Sequence, residues 1–189
     1  TPRVDSRIIQ IIAMKRKEPI VARANEVVGK SDEHRVRAEY LQEMRPGRLF
    51  ARSIEASAEV DAPIEKVWAI LTDFEAYPQW NPFTLSVDTR FEPGRPVIME
   101  VALMPPKTMR QVEFINLIEA PRRIAWGYVM GHASILQANR YQVLEPLADG
   151  RCRYRTVDYF SGAMVPLMMA TMGSKVRAGF EGVARALKD

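Results

Sequence analysis

Turn chemistry cuts residues 83–160 into strand-length pieces at short intervals, at Glu92-Pro93-Gly94, Met104-Pro105-Pro106, Ala120-Pro121-Arg122, Gly131-His132 and Asp149-Gly150. Gly supplies positive φ and Pro a fixed φ, so such clusters interrupt a strand wherever they fall. Six strands are expected between them, over residues 85–91, 97–103, 109–118, 124–129, 134–144 and 151–160. Connections this short join antiparallel neighbours, because a parallel pair needs a long crossover.

The flanks complete the pattern. Over residues 49–60, Ile54, Ala56, Ala58 and Val60 alternate with Ser53, Glu55, Ser57 and Glu59, the period of a half-buried strand. Asp61 is a good N-cap and Pro63 suits a first helical turn. Ile64, Val67, Trp68 and Leu71 then share one face of a short helix. Tyr77-Pro78 and Asn81-Pro82 confine the next stretch to a tight helical turn and a loop. Residues 161–188 carry the longest helical pattern, with Val165, Met168, Met169, Met172, Val176, Phe180, Val183 and Leu187 as its apolar stripe. Seven antiparallel strands cannot leave both faces wet, and this helix is the only long element available to cover one. The fold class is α+β, and a curved sheet gripping one helix leaves a wedge suited to a ligand.

The first 47 residues have another character, with much charge and little strand signal. Ile8, Ile11, Ile12 and Met14 are partly helical in spacing until Pro19. Val36, Tyr40, Leu41 and Met44 form one face of a second helix, behind Ser31 as N-cap and before the break at Pro46-Gly47. Residues 1–47 are therefore expected to be a helical extension, packing on the main domain or on a second copy in a homodimer, with disorder as the alternative. Residues 48–189 are the main domain.

Charge narrows the function. The formal net charge is +4, yet residues 1–50 hold 11 Lys or Arg against 7 Asp or Glu, leaving residues 51–189 with 16 of each sign. A neutral main domain has no charge excess for phosphates, so nucleic acid is not the expected partner. The single cysteine, Cys152, excludes an internal disulfide and suits a reducing, cytoplasmic compartment. No apolar run is long enough to cross a bilayer. Two isolated histidines, His34 and His132, with one cysteine make no zinc site and no triad. No Gly-rich loop between strand and helix cradles phosphate. No cofactor is expected.

Strand parity supplies polar candidates. Arg151, Arg153 and Arg155 share the solvent face of the last strand, and Cys152, Tyr154, Thr156, Asp158 and Phe160 share the concave face. An inward Asp158 needs a partner, since an unpaired buried charge is costly; Arg140, alternating with Ala138 and Gln142, and Arg110 are the donors proposed from sequence. Its readings are a polar anchor at a pocket wall, a structural ion pair, or a strand-end residue reaching water. Met164, Met168, Met169 and Met172 crowd the start of the last helix, where methionine fits either an adaptable pocket or plain core. Gly173, Gly179 and Gly182 each weaken a helix by roughly 1 kcal/mol relative to Ala, and mark close approach to the sheet or a helix soft enough to open. Trp80 and Trp126 suit core or cavity walls.

Several segments carry a resemblance. Residues Glu59-Val60-Asp61-Ala62-Pro63-Ile64-Glu65-Lys66-Val67-Trp68, then Tyr77-Pro78-Gln79-Trp80-Asn81-Pro82, Ala120-Pro121-Arg122-Arg123-Ile124-Ala125-Trp126, Glu145-Pro146-Leu147 with Asp149-Gly150, and Phe160-Ser161-Gly162 ahead of the last helix occur in this order. Together they resemble the START-like (SRPBCC) superfamily, specifically its polyketide cyclase/dehydrase branch. The resemblance implies a helix-grip fold, a curved seven-stranded antiparallel sheet wrapped around a long C-terminal helix, enclosing a deep apolar cavity. Members of the superfamily include lipid carriers, hormone, polyketide and quinone binders, and aromatic cyclases, and no local motif marks the enzymes. No catalytic residue is carried over. The expected ligand-binding set is Trp80, Arg110, Trp126, Arg140, Tyr154, Asp158, Met164, Met168 and Met172. The expected function is binding of a lipid-, quinone- or polyketide-like molecule. The alternatives are a cyclase or dehydratase working in the same cavity, and a partner- or membrane-docking module acting through the basic extension.

Overall fold

The computed structural model describes residues 50–189. The expectations attached to residues 1–47, together with Leu49, lie outside the described residues.

All seven expected strands form, as β1 (Arg52–Val60), β2 (Thr84–Thr89), β3 (Pro96–Met104), β4 (Lys107–Glu119), β5 (Arg123–Met130), β6 (Leu136–Pro146) and β7 (Cys152–Ser161). Between β1 and β2 lie α1 (Ile64–Thr72), a 3-10 turn (Phe74–Ala76) and α2 (Tyr77–Trp80); α3 (Val165–Lys188) ends the chain. One sheet runs in the order β1-β7-β6-β5-β4-β3-β2, and every pair is antiparallel. The sheet curls into half a barrel with α3 in its grip.

The helix start differs from expectation. Pro63 is the N-cap residue of α1, and no side chain caps it, so Asp61 sits too early in the chain to serve. Val67 and Leu71 carry the apolar stripe of α1 into the core, at 0 % and 1 % exposure.

Parity on β7 follows the sequence. Cys152, Tyr154, Thr156, Asp158 and Phe160 are buried on the concave face. Arg151, Arg153 and Arg155 lie outward, paired with Glu59 and Asp149, with Glu59 and Glu145, and with Glu55. Such exposed pairs contribute little stability, but they settle which face meets water.

Two of the three α3 glycines mark close approach. A Cβ at Gly179 would sit 2.1 Å from the Phe83 ring, and one at Gly182 would sit 3.2 Å from Pro82. The residues between α2 and β2 thus lie directly on the helix. Gly173 meets only the flexible end of Met169, at 3.2 Å, so contact does not explain it.

Register fixes which elements share an end. β1 enters opposite the end of β7 (Arg52↔Phe160), while Met104↔Lys107 and Met130↔Leu136 close the β3–β4 and β5–β6 hairpins. These three places and the start of α3 form one end, here called the upper one. The lower end holds the β4–β5 and β6–β7 turns.

Candidate functional site

The lower half of the concave face is filled. Tyr77, Tyr154 and Leu71 are almost fully buried there. The Tyr77 hydroxyl donates to the Leu71 carbonyl at 2.8 Å and the Tyr154 hydroxyl to Gln142 Oε1 at 2.9 Å. Polar groups with internal partners do not solicit a ligand.

The upper half encloses a cavity of about 80 Å³. Its sheet wall carries Met99, Val101, Leu103 and Met109, with Phe160 and Trp126, and its helix wall carries Met168, Met172, Val176 and Phe180. Four strands bring polar groups into this apolar space: Gln111 and Glu113 from β4, Tyr128 from β5, Arg140 from β6 and Asp158 from β7. Trp126, Arg140 and Asp158 stand in line across three neighbouring strands.

The polar groups are unevenly satisfied. Arg140 Nε donates to Thr156 Oγ1 at 3.0 Å, and its guanidinium carbon lies 4.2 Å from the Phe180 ring centre, a cation–π contact. It therefore makes no ion pair with Asp158, its register partner, which corrects the expected pairing. Gln111 Nε2 donates to Glu113 Oε1. Asp158 Oδ1 and Trp126 Nε1 are buried with no hydrogen-bond partner. An acceptor and a donor left without partners on two residues that line one cavity are uncommon in a finished core.

Burial decides the protonation of the carboxyls. Desolvation, and then the charge of Asp158, pushes Glu113 up to about 8 against the pull of Arg140. Desolvation pushes Asp158 up to about 7, with Arg140 and the Asn139 backbone pulling the other way. Two carboxyls share one guanidinium in a low-dielectric site, so near neutral pH the pair retains a proton. Desolvation likewise drives the Tyr128 phenol well above its ordinary value, reinforced by Glu113 and Asp158.

Of the expected set, Trp126, Arg140, Asp158, Met168 and Met172 come together at this cavity. Four do not. Arg110 is exposed on the opposite face, because Met109 and Gln111 on either side of it point inward. Tyr154 points inward but lies in the filled lower half. Trp80 is half-buried on α2, edge-on to Tyr77 at 5.1 Å. Met164, the N-cap residue of α3, is 36 % exposed outside the cavity. Sequence reasoning missed Glu113, Gln111 and Tyr128. The alternation Met109, Gln111, Glu113, Ile115 on β4 was the available signal, cut short by the register shift between Ile115 and Leu117.

Among the described residues no cluster of His, Cys, Asp or Glu could hold a metal ion, and no helix is long and apolar enough to cross a membrane. A larger concavity of about 670 Å³, between β1 and the end of α3, is an open groove lined by charged side chains such as Glu59, Arg151 and Arg185. Its only apolar lining is Ala56, Ala58 and Ala184.

Residues 51–189 match the family described as polyketide cyclase / dehydrase and lipid transport, and the chain belongs to that family. No functionally curated protein matches the chain. Among solved structures, it is similar to the Zhui aromatase/cyclase of Streptomyces sp. R1128, at TM-score 0.54 and 18% identity over 72% of this chain and 93% of that one. The TTHA0849 protein of Thermus thermophilus gives TM-score 0.57 and 15% identity over 72% and 94%. The di-domain ARO/CYC BexL from the BE-7585A biosynthetic pathway gives TM-score 0.58 and 19% identity over 72% of this chain, which spans 45% of that protein. At these identities the likeness shows the fold, the helix-grip architecture expected from sequence.

Proposed function

We propose that the protein binds an apolar small molecule, lipid-, quinone- or polyketide-like, between the upper half of the sheet and the first turns of α3. The supporting observation is the pair of unpartnered buried polar atoms, Asp158 Oδ1 and Trp126 Nε1, on residues that line a mainly apolar cavity. A ligand hydroxyl or carbonyl satisfies one or both, and its apolar body takes the contacts offered by the methionines. Sites that bury a whole ligand run to roughly 300–1,000 Å³, well above the space enclosed here. Entry of such a ligand requires Met168 and Met172 to change rotamer, which unbranched thioether side chains do easily. An anionic head is disfavoured at the inner end, because the desolvation that raises Glu113 and Asp158 penalises any further buried anion and Arg140 is already shared between them.

One observation favours the enzymatic alternative. A carboxyl held near neutrality can both give and take a proton, the requirement for aldol-type cyclisation or dehydration of a polyketide-like chain. In that reading Glu113 and Asp158 are the proton-transfer pair and Arg140 the electrostatic support.

Native mass spectrometry of the purified protein, followed by organic extraction, tests the binding reading. A retained apolar molecule, displaced by a fluorescent apolar probe, is the expected result. A protein that carries nothing and binds no probe overturns it. Conversion of a poly-keto substrate, lost in both Glu113→Gln and Asp158→Asn, moves the assignment to the enzyme.

A further inference from the structure

The exposed large hydrophobic side chains of the described residues are Phe50, Met104, Met130, Ile135, Met164 and Leu167, between 36% and 56% exposed. Scattered singly they would need no explanation. They are not scattered. Phe50 precedes the first residue of β1, Met104 closes β3, Met130 and Ile135 flank the β5–β6 connection, and Met164 and Leu167 begin α3. Register places all of these at the upper end. Two bonds tie the β5–β6 loop to the helix start, Ala163 N to Ser134 O at 2.8 Å and Met164 N to Ile135 O at 2.9 Å.

Charge divides along the same line. The upper-end segments, residues 50–53, 102–109, 128–137 and 160–172, contain no Asp or Glu, but they do contain Arg52, Lys107 and His132; Arg110, one residue deeper, stands opposite Glu100. Ion pairs among the described residues, such as Glu92–Arg95, Glu119–Arg123 and Glu59–Arg151, lie in the opposite half. An apolar rim with cations and no acids is complementary to a surface with an apolar interior and anionic heads. The rim also leads inward. Leu103 and Met168, next in sequence to Met104 and Leu167, line the cavity.

We propose that the upper end docks on an anionic lipid bilayer, with Ile135, Met164 and Leu167 in the acyl boundary and Arg52 and Lys107 among the headgroups. Docked this way, the mouth of the cavity faces the membrane rather than water. The surface stands on exposure, topology and charge, independently of whether the cavity holds a ligand.

Vesicle flotation of the full chain tests it, with phosphatidylcholine vesicles that contain or lack phosphatidylglycerol. The wild type is expected to float with the anionic vesicles. The double variant Ile135→Asp/Leu167→Asp is expected to lose about ten-fold or more of the bound fraction, since each aspartate replaces a buried apolar contact by a charge at the interface. Arg52→Glu/Lys107→Glu is expected to weaken the preference for anionic lipid by a similar factor. Unchanged melting temperature in both variants separates docking from folding. No association of the wild type with either vesicle overturns the proposal. So does association that both variants retain, which would assign it to the basic residues 1–49. A wild type that ignores vesicles but forms a dimer lost in Leu167→Asp makes the rim an interface between copies and also overturns it. Probe binding in the cavity survives any of these outcomes, so failure here leaves the ligand reading standing.

Discussion

The two halves of the concave face are built from the same strands and the same helix, yet they solve different problems. Below, α1 and α2 lie across the sheet and Tyr77, Tyr154 and Gln142 bond one another or the backbone, leaving no space. Above, no such cover exists. The helix wall is Met168, Met172, Val176 and Phe180, a buried acceptor and a buried donor lack partners, and the rim is apolar. The lower half is packed core, and the upper half gives up packing around a cavity. In the proposed reading, stability and ligand binding are separated by position along each strand.

Core truncation should show the largest contrast. Leu71→Ala, fully buried below, is expected to cost about 2–5 kcal/mol in denaturant unfolding. Met172→Ala, half-buried beside an existing void, is expected to cost under about 1.5 kcal/mol. Equal costs would mean that the upper half is packed as tightly as the lower.

Glycine replacements sharpen it with a change of sign. Gly179→Ala forces a methyl into the Phe83 ring and is expected to destabilise by about 1–3 kcal/mol. Gly173→Ala meets only the movable Met169 sulfur and is expected to stabilise by up to about 1 kcal/mol through helix propensity. If Gly173→Ala destabilises strongly, or abolishes probe binding with stability unchanged, helix softness at Gly173 belongs to the site.

The halves should also respond oppositely to pH. Glu113 and Asp158 have folded-state values raised to about 8 and about 7, above the roughly 4 of an unfolded chain. Between those limits the folded state binds more protons than the unfolded one, so this contribution is complete below about pH 4 and is lost as pH rises to about 8. Glu113→Gln and Asp158→Asn should each flatten that fall. Glu59 and Asp149, at the lower end, are held below the usual range by Arg153 and Arg151. Their smaller, solvent-screened contribution is lost in the other direction, as pH falls through the acid range. A melting temperature that rises steadily from pH 5 to 8 would refute the protonated pair.

The smallest effect belongs to the exposed pairs, where Glu119→Gln should change stability by less than about 0.5 kcal/mol despite its short contacts to Arg123.

Most of the fold was legible because turn chemistry and period-two alternation are local signals. Each strand lies within a few residues of its expected place, and the inward parity of Asp158 held. The site was legible only in part. Arg110 could have been set aside by parity, since its neighbours Met109 and Gln111 face inward, and the same alternation pointed to Glu113. Three other features required the tertiary structure. Tyr154 is sealed because α1 and α2 lie over it, Arg140 turns to Thr156 and Phe180 rather than to Asp158, and Met164 ends outside the cavity because the helix starts at the rim. No pattern within one segment carries that information.

The central claim is that the upper half of the concave face takes up an apolar ligand. Its most direct test is the affinity of a fluorescent apolar probe for the wild type and for Met172→Trp, which fills the cavity from the helix side. The account expects saturable binding to the wild type and a loss of ten-fold or more in the variant (about 1.4 kcal/mol per factor of ten), with the melting temperature preserved. Undiminished probe binding by Met172→Trp, or none by the wild type, would contradict it.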